Sequence, residues 1–435
     1  MGASSDRIHV AIVGGGVGGL TLAFALAEER PDIAIDVYEA QSNFSAFGAG
    51  IALWPRVRET LFALGLKESL DQLAPPEDTL KPVQMLRGDV PNAKPWGSTP
   101  NMTAVHRGEF LKLLVDRVSA SPNCTTHFSQ KLVSYEDSSD SPVHLAFKDG
   151  SAATCDILIG ADGVNSAVRA IMYNRLADNA GTEEEGRKWR SRVGPVWSGQ
   201  VVYRYLLPRE HLEAVDPQHR CLSTPTEFQG QGKGIITYPV SDGRWINVGA
   251  IIAQHNLFGS TFKDRWSATV DQEEVAEHFN GWEKESLILV ELMKAPIRWA
   301  VNAVPNLPTY VCGRVALLGD AAHAMVPYQA VGDAFVLATL LSQVRSSSRI
   351  IDALAVYDEI RRPFSQNIQN LSLKTGIALF MDKKGDVPFG PTFEYGELEN
   401  SAEDFSKLFD WSATTSVLPD RDRALKRFSG AVASI

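Results

Sequence analysis

Cysteine is scarce. The chain has four in 435 residues, Cys124, Cys155, Cys221 and Cys312, scattered and with no CxxC pair. That spacing excludes a disulfide framework and a thiolate metal site, and the four read as reduced thiols. Long apolar runs are missing too. None approaches the roughly 18 residues that a membrane span needs, and no secretory leader is visible. Met1-Gly2 opens like an acylation signal, but Asp6 stands where Ser or Thr is required. A soluble, cytoplasmic protein is expected. Positive charge is in deficit: 42 Lys and Arg stand against 52 Asp and Glu, a formal net charge of -10. Nucleic acid is therefore excluded as an electrostatic partner. A small anionic ligand needs locally placed cations, because the overall field opposes it. No internal repeat and no low-complexity tract interrupts the chain.

What is present is concentrated first in residues 8–39. An apolar run, Ile8 to Val13, meets Gly14-Gly15-Gly16-Val17-Gly18-Gly19. A helix-forming run and a second apolar strand, Ile33 to Tyr38, follow, and the strand ends on Glu39. Strand, glycine turn, helix, strand and acid make a dinucleotide-binding βαβ unit. Gly14 permits the tight turn, Gly16 lets backbone approach a pyrophosphate, and Gly19 lets helix and strand pack closely. The helix start offers free N–H groups to phosphate. Glu39 is placed to accept from ribose hydroxyls.

Further on, Arg56 to Leu66 and Glu109 to Val118 carry helical periodicity. Thr79 to Val90 reads as a strand and Pro91 to Pro100 as a loop. Cys124 to Glu136 and Val143 to Phe147 read as a meander. Asp156 to Gly160 is a buried strand entering the turn Ala161-Asp162-Gly163. After a polar excursion over 177–192, three strand patterns follow: Gly199 to Leu207, Gly234 to Val240 and Arg244 to Ile252. They suit an antiparallel sheet able to cover a substrate. Arg314 to Gly319 restores the parallel-strand character and leads into Asp320-Ala321-Ala322-His323. The expected fold is α/β: a Rossmann-like domain in two parts, residues 1–175 and 299–369, interleaved with a substrate-binding sheet region at 193–298. A helical region at 370–435 completes it.

Gly14-x-Gly16-x-x-Gly19, Gly160-Ala161-Asp162-Gly163 and Leu318-Gly319-Asp320-Ala321-Ala322-His323 stand in this order. The triple resembles the single-component FAD-dependent aromatic hydroxylases, the family of para-hydroxybenzoate and salicylate hydroxylases, over about Ile8 to Leu341. Trp54-Pro55 and Val202-Tyr203-Arg204 look most like the fungal salicylate-hydroxylase-like branch. The resemblance implies FAD at the first motif, NAD(P)H and O2 as co-substrates, and a small phenolic aromatic substrate. A flavin hydroperoxide would hydroxylate the ring, and loss of a carboxylate in ipso attack is compatible with that branch. It implies roles for Glu39 on the adenosine ribose, Arg107 on the phosphate or ribose side, Asp162 near the pyrophosphate and Asp320 on the ribityl chain. Gly48, Ala49 and Gly50 would pass close to the flavin, and Pro327 would sit by its reactive face. Arg204, a fork suited to a planar anion, and Tyr238 are the candidates for holding substrate.

Bland alternatives stand beside these roles. Asp162 suits a helix cap, His323 a packed structural histidine, and Tyr238 a core position. The sequence also departs from the family. Gln329 runs through Ala330-Val331-Gly332 straight into Asp333, about six residues short of the usual Gly-rich turn, or roughly 9 Å of helix. Holding the flavin ring then rests on the turn around Gly332. Two alternatives follow: a flavin-impaired homologue, or a same-fold oxygenase acting on a polyketide- or terpenoid-derived substrate.

Overall fold

Strand β1 (His9–Val13) is apolar and buried along nearly its whole length, as a central strand of a parallel sheet must be. It pairs in parallel with β2 (Ala34–Tyr38) on one side and β11 (Ile157–Gly160) on the other. β19 (Val315–Leu317) lies parallel beyond β11, and β18 (Val311–Cys312) closes that edge antiparallel. The three strands that lead into the three glycine motifs are thus neighbours, in the order β19-β11-β1. Their carboxyl ends lie side by side, so turns more than 300 residues apart in sequence open on one edge. That edge is where open α/β sheets bind ligands. The computed structural model describes residues 7–44, 50–74, 77–92, 94–138, 141–325, 329–381 and 406–430.

The expected meander divides. β7 (Cys124–His127) leaves it and joins the parallel sheet beside β2. β8 (Leu132–Glu136), β9 (Val143–Phe147) and β10 (Ala152–Cys155) form a separate three-stranded sheet. Strand pairing is a tertiary choice, and nothing in the run Cys124 to Glu136 marks the break.

The helices Val17–Glu29 and Ala330–Ser342 are apolar on nearly every side and lie buried against each other. They run in parallel. Gly18 faces Ala330 at their starts. At their ends, Arg30 Nη1 donates to the carbonyls of Ser342 (3.2 Å) and Val344 (2.7 Å). Aligned helix dipoles repel, and the Arg30 cation answers the paired negative ends. The paired positive ends lie together at the glycine turn.

The second sheet has eight strands. In order they are β16 (Ser267–Thr269), β17 (Ile297–Ala303), β12 (Val196–Pro208), β15 (Trp245–Ala253), β14 (Lys233–Val240), β13 (Thr226–Gly230), β4 (Pro82–Arg87) and β5 (Gly97–Asn101). The sheet therefore recruits β4 and β5 from 82–101, across the sequence from its other members. β5 forms where a loop was expected, because Thr99 is buried and its hydroxyl accepts the Val83 N–H at 3.1 Å. One face, with Tyr203, Leu207, Phe228, Ile235 and Val248, packs on the helices Gln272–Phe279 and Lys284–Leu292. The other face, with Leu206, Ile236, Tyr238 and Val240, packs on Ala52 and Trp54. Ala52 belongs to β3 (Gly50–Leu53), which pairs with β6 (Thr103–His106) in the dinucleotide half. This second face is the one turned toward Gly50. A long helix, Ile350–Leu379, continues through Pro363, and the helices Asp410–Thr414 and Leu418–Gly430 follow. No helix among the described residues is long and apolar enough to cross a membrane.

Candidate active site

Gly14 has φ +112°, and a Cβ there would stand 2.3 Å from the Ala161 carbonyl oxygen. Only glycine fits. A Cβ on Gly19 would meet the Gly14 oxygen at 2.1 Å, so the helix can start directly on the turn. Gly16 is different: among the described residues nothing lies within 4 Å of where its Cβ would be. The helix it caps has no side-chain cap and no acid in its first turn. The helix Ala330–Ser342 also starts without a side-chain cap, against Gly18 and Gly319. Two uncapped positive helix ends thus converge beside open space. That arrangement fits a pyrophosphate. At the end of β2, Glu39 Oε2 accepts from Gly15 N (2.9 Å) and Oε1 from Gln41 N (2.8 Å), which fixes the carboxylate beside the turn.

Asp162 serves as a helix cap with one oxygen. Its Oδ2 accepts from Ala167 N (2.7 Å) and Val168 N (3.1 Å). Its Oδ1 is buried with no hydrogen-bond partner among the described residues, and burial raises its pKa despite those bonds. The sequence alternatives for Asp162 are therefore compatible: one oxygen caps, the other remains for a ligand. Asp320 is exposed. Its pKa is nonetheless raised by surrounding protein, against the opposing pull of His323 and Arg107. An accessible carboxylate in so crowded a setting lines a hollow and not open surface. Arg107 opens the helix Arg107–Ala120, half-buried, and makes no hydrogen bond or ion pair among the described residues. A free cation, two helix ends and an orphaned carboxylate oxygen suit the phosphates and polyol chain of FAD.

The ring end is built differently. Pro327 lies outside the described residues, with Gly48 and Ala49. Only residues 324–329 connect the helix Asp320–His323 to the helix beginning at Ala330. A Cβ on Gly332 would stand 3.2 Å from Arg361 Nη2, so Gly332 faces this arginine. Beneath it lies a buried ionic chain. Asp333 meets His323 Nε2 at 2.5 Å and Arg361 Nε at 2.9 Å. Arg361 Nη1 reaches Asp420 Oδ2 at 3.1 Å, and Arg56 Nη2 reaches the same oxygen at 2.6 Å. Burial would raise the Asp333 carboxyl, but the charges and hydrogen bonds of His323 and Arg361 outweigh it and hold its pKa low. His323 is thus structural. The chain clamps the start of the helix Ala330–Ser342 to the helices Ile350–Leu379 and Leu418–Gly430.

On the facing sheet, Tyr238 Oη donates to the Gly50 carbonyl (2.9 Å), and Gly50 N donates to Asn247 Oδ1 (2.9 Å). A Cβ on Gly50 would meet the Tyr238 ring at 2.4 Å. Tyr238 and Gly50 therefore come together, and Tyr238 ties the sheet to the segment nearest the expected flavin. Arg204 is exposed and has no hydrogen bond or ion pair among the described residues. It pairs across β12 and β15 with Gly249, which pairs in turn with Ile236. Directly opposite residues share a face, so Arg204 lies on the face of Tyr238.

A family model described as an FAD binding domain matches residues 7–191 and 231–372. Salicylate hydroxylase of Pseudomonas putida is 32% identical over 397 residues, covering 86% of each chain. The 6-methylsalicylate 1-monooxygenase atA of Aspergillus terreus is 30% identical over 432 residues, covering 94% of this chain and 89% of that one. A solved salicylate hydroxylase substrate complex superposes with a TM-score of 0.78 at 25% identity, covering 97% of this chain and 98% of that one. This chain is an FAD-dependent aromatic hydroxylase by family. The resemblance drawn from the three motifs holds, as does the α/β architecture, and the chain is a flavin monooxygenase of that family.

Sequence reasoning missed one ionisable group on the hydroxylase's covering sheet. Glu227, in β13, is 7% exposed, and burial pushes its carboxyl up to about 7. A strand of alternating pattern gives no sign that a glutamate within it is buried. The sign of its effect on stability follows. In the unfolded chain the group ionises at its ordinary value, near 4.5. The folded state resists ionisation, so stability falls as pH rises from there through about 7. Glu227→Gln, which mimics the protonated form, is expected to outlast the parent in urea at pH 8 by up to roughly 3 kcal/mol. The gain should vanish near pH 4. Urea midpoints at the two pH values check it.

Proposed function

We propose that this hydroxylase acts on a monocyclic phenol bearing an anionic substituent, a salicylate-like substrate, with FAD, NAD(P)H and O2. The observation that carries the reading is Arg204. A guanidinium with no partner among the described residues stands on the covering-sheet face that looks toward the Gly50 segment, in a chain of net charge -10. An arginine fork holds a planar carboxylate in two places at once.

Gly14, Gly16 and Gly19 with the two helix ends would hold the pyrophosphate. Glu39 would hold the adenosine ribose, and Arg107, Asp162 and Asp320 the phosphate and ribityl side. Gly50 and Pro327 would border the ring. Bound FAD, reduced by NAD(P)H, supplies the oxygen-transfer chemistry. The protein's own part is to orient the phenol, take its proton and keep water out. The names of the salicylate and 6-methylsalicylate relatives support this substrate class. The test is a product assay with the FAD-loaded protein on salicylate, methylsalicylates and resorcylic aldehydes. Gain of one oxygen, or exchange of carboxylate for hydroxyl, is the expected product mass. NAD(P)H consumption without an oxygenated product on any of them would sink the reading, and a product from the aldehydes alone would favour a polyketide-derived substrate.

A second reading, a flavin-impaired homologue, draws on the short connection 324–329. It predicts that substrate leaves the rate of NAD(P)H oxidation unchanged.

A further inference from the structure

Two aromatic rings stand beside the glycine turn, at the carboxyl ends of neighbouring parallel strands. β2 ends on Tyr38 and β7 on His127, and these two residues are register partners. Phe128 follows β7 directly and is 38% exposed, one of few large apolar side chains on the surface. Its ring meets that of Phe44 edge to face, with centroids 4.8 Å apart. Phe44 in turn lies over the glycine turn. A Cβ on Gly15 would stand 2.5 Å from the Phe44 ring and 3.0 Å from Glu39 Oε2. Phe128, Phe44 and Glu39 thus border one spot, on the sheet edge where open α/β folds take ligands.

The segment that displays Phe128 is tied down on both sides. Glu39 N donates to the His127 carbonyl (2.8 Å), Gln130 N to the Glu39 carbonyl (2.9 Å) and Ser129 N to the Gln41 carbonyl (2.8 Å). The His127 ring stacks on Tyr38, with centroids 4.8 Å apart and planes 15° from parallel, and its Nε2 meets Asp36 Oδ1 at 2.8 Å. Ser129 has φ +58°, a left-handed conformation that a residue with a Cβ rarely adopts. A strained backbone held by so many bonds marks a functional position more often than a loose loop. Here it fixes a phenyl ring in water, where an apolar ring gains nothing until something flat covers it.

We propose that Phe128, seated on Phe44, stacks on the adenine ring of FAD. The proposal rests on Glu39 holding the adenosine ribose, as above. The base is the group attached to that ribose, it is flat and uncharged, and any base offers a π-face to an aromatic side chain. The other ring of FAD, the flavin, is expected at Gly50, where Tyr238 and Asn247 stand. The backbone bonds between 39–41 and 127–130 keep Phe128 and Glu39 in fixed relation, so base and ribose meet a site already formed.

The test uses the full chain freed of flavin, as the parent, Phe128→Ala, Phe128→Tyr and Glu39→Gln. Each is titrated with FAD, followed by flavin fluorescence, and with ADP, which has no flavin, followed by calorimetry. Phe128→Ala is expected to raise both dissociation constants roughly 10-fold, the worth of one base stacked on an aromatic ring. Phe128→Tyr, which keeps a flat ring, should match the parent. Urea midpoints should be unchanged, because the ring that is removed is exposed. Equal dissociation constants for the parent and Phe128→Ala would overturn the proposal. If Glu39→Gln weakens both ligands in that case, the ribose placement stands and only the aromatic contact falls. If Glu39→Gln also changes nothing, the placement of the adenosine fails with it. A loss on FAD with none on ADP would put Phe128 away from the adenine and overturn the proposal. An equal loss in Phe128→Ala and Phe128→Tyr with lowered urea midpoints would mark the ring as structural and overturn it too.

Discussion

Arg361→Leu is expected to lower the unfolding free energy by about 3–5 kcal/mol. The arginine is fully buried and holds two buried carboxylates, Asp333 and Asp420. Removing it leaves Asp333 with His323 and the Gly319 N–H, and Asp420 with Arg56 and Arg423. The cost is that of an uncompensated charge in a dry interior, not of one lost contact. FAD affinity should fall with it, because Asp333 sits in the first turn of the helix whose start lies on the glycine turn. Urea unfolding followed by circular dichroism measures the first effect, and flavin fluorescence quenching the second. Arg361→Leu combined with Asp333→Leu should recover part of the stability, since paired removal spares the orphaned charge. A loss under about 1 kcal/mol, the worth of a surface pair, would show that the network carries little.

Arg204→Gln is expected to raise KM for salicylate roughly 10- to 100-fold with a smaller change in kcat. A hydrogen bond to a charged group is worth about 1.5–3 kcal/mol, and each 1.4 kcal/mol is tenfold. Because Arg204 has no ion pair to break among the described residues, folding should be untouched and the urea midpoint unchanged. A phenol lacking the anionic substituent should show no difference between variant and parent. Steady-state kinetics on the two substrates decide this. An equal loss on both would place the arginine's role elsewhere than on the anion.

The dinucleotide half was legible because its signals are local. Gly14, Gly16 and Gly19 follow one strand directly, and each motif carries its own turn. Their convergence was legible only through resemblance, since the adjacency of β1, β11 and β19 is a property of the sheet. Three features escaped. β7 parted from the meander, and β4 and β5 crossed into the covering sheet, because partner choice between strands is set by distant residues. The chain from His323 through Asp333 and Arg361 to Asp420 and Arg56 joins residues far apart in sequence. Asp333 reads in sequence as an ordinary acid near a helix start. Glu227 shows its character only through burial. Beyond Gln329 the structure shows a helix that starts at Ala330, braced by ionic contacts and packed against Gly18 and Gly319.

That brace makes the central claim testable: the FAD site survives the short connection. The direct measurement is a titration of the purified chain with FAD, followed by quenching of flavin fluorescence. One FAD per chain with a Kd at or below about 1 μM is the expected result. Flavin fluorescence that stays unchanged in the presence of excess folded protein would contradict the account.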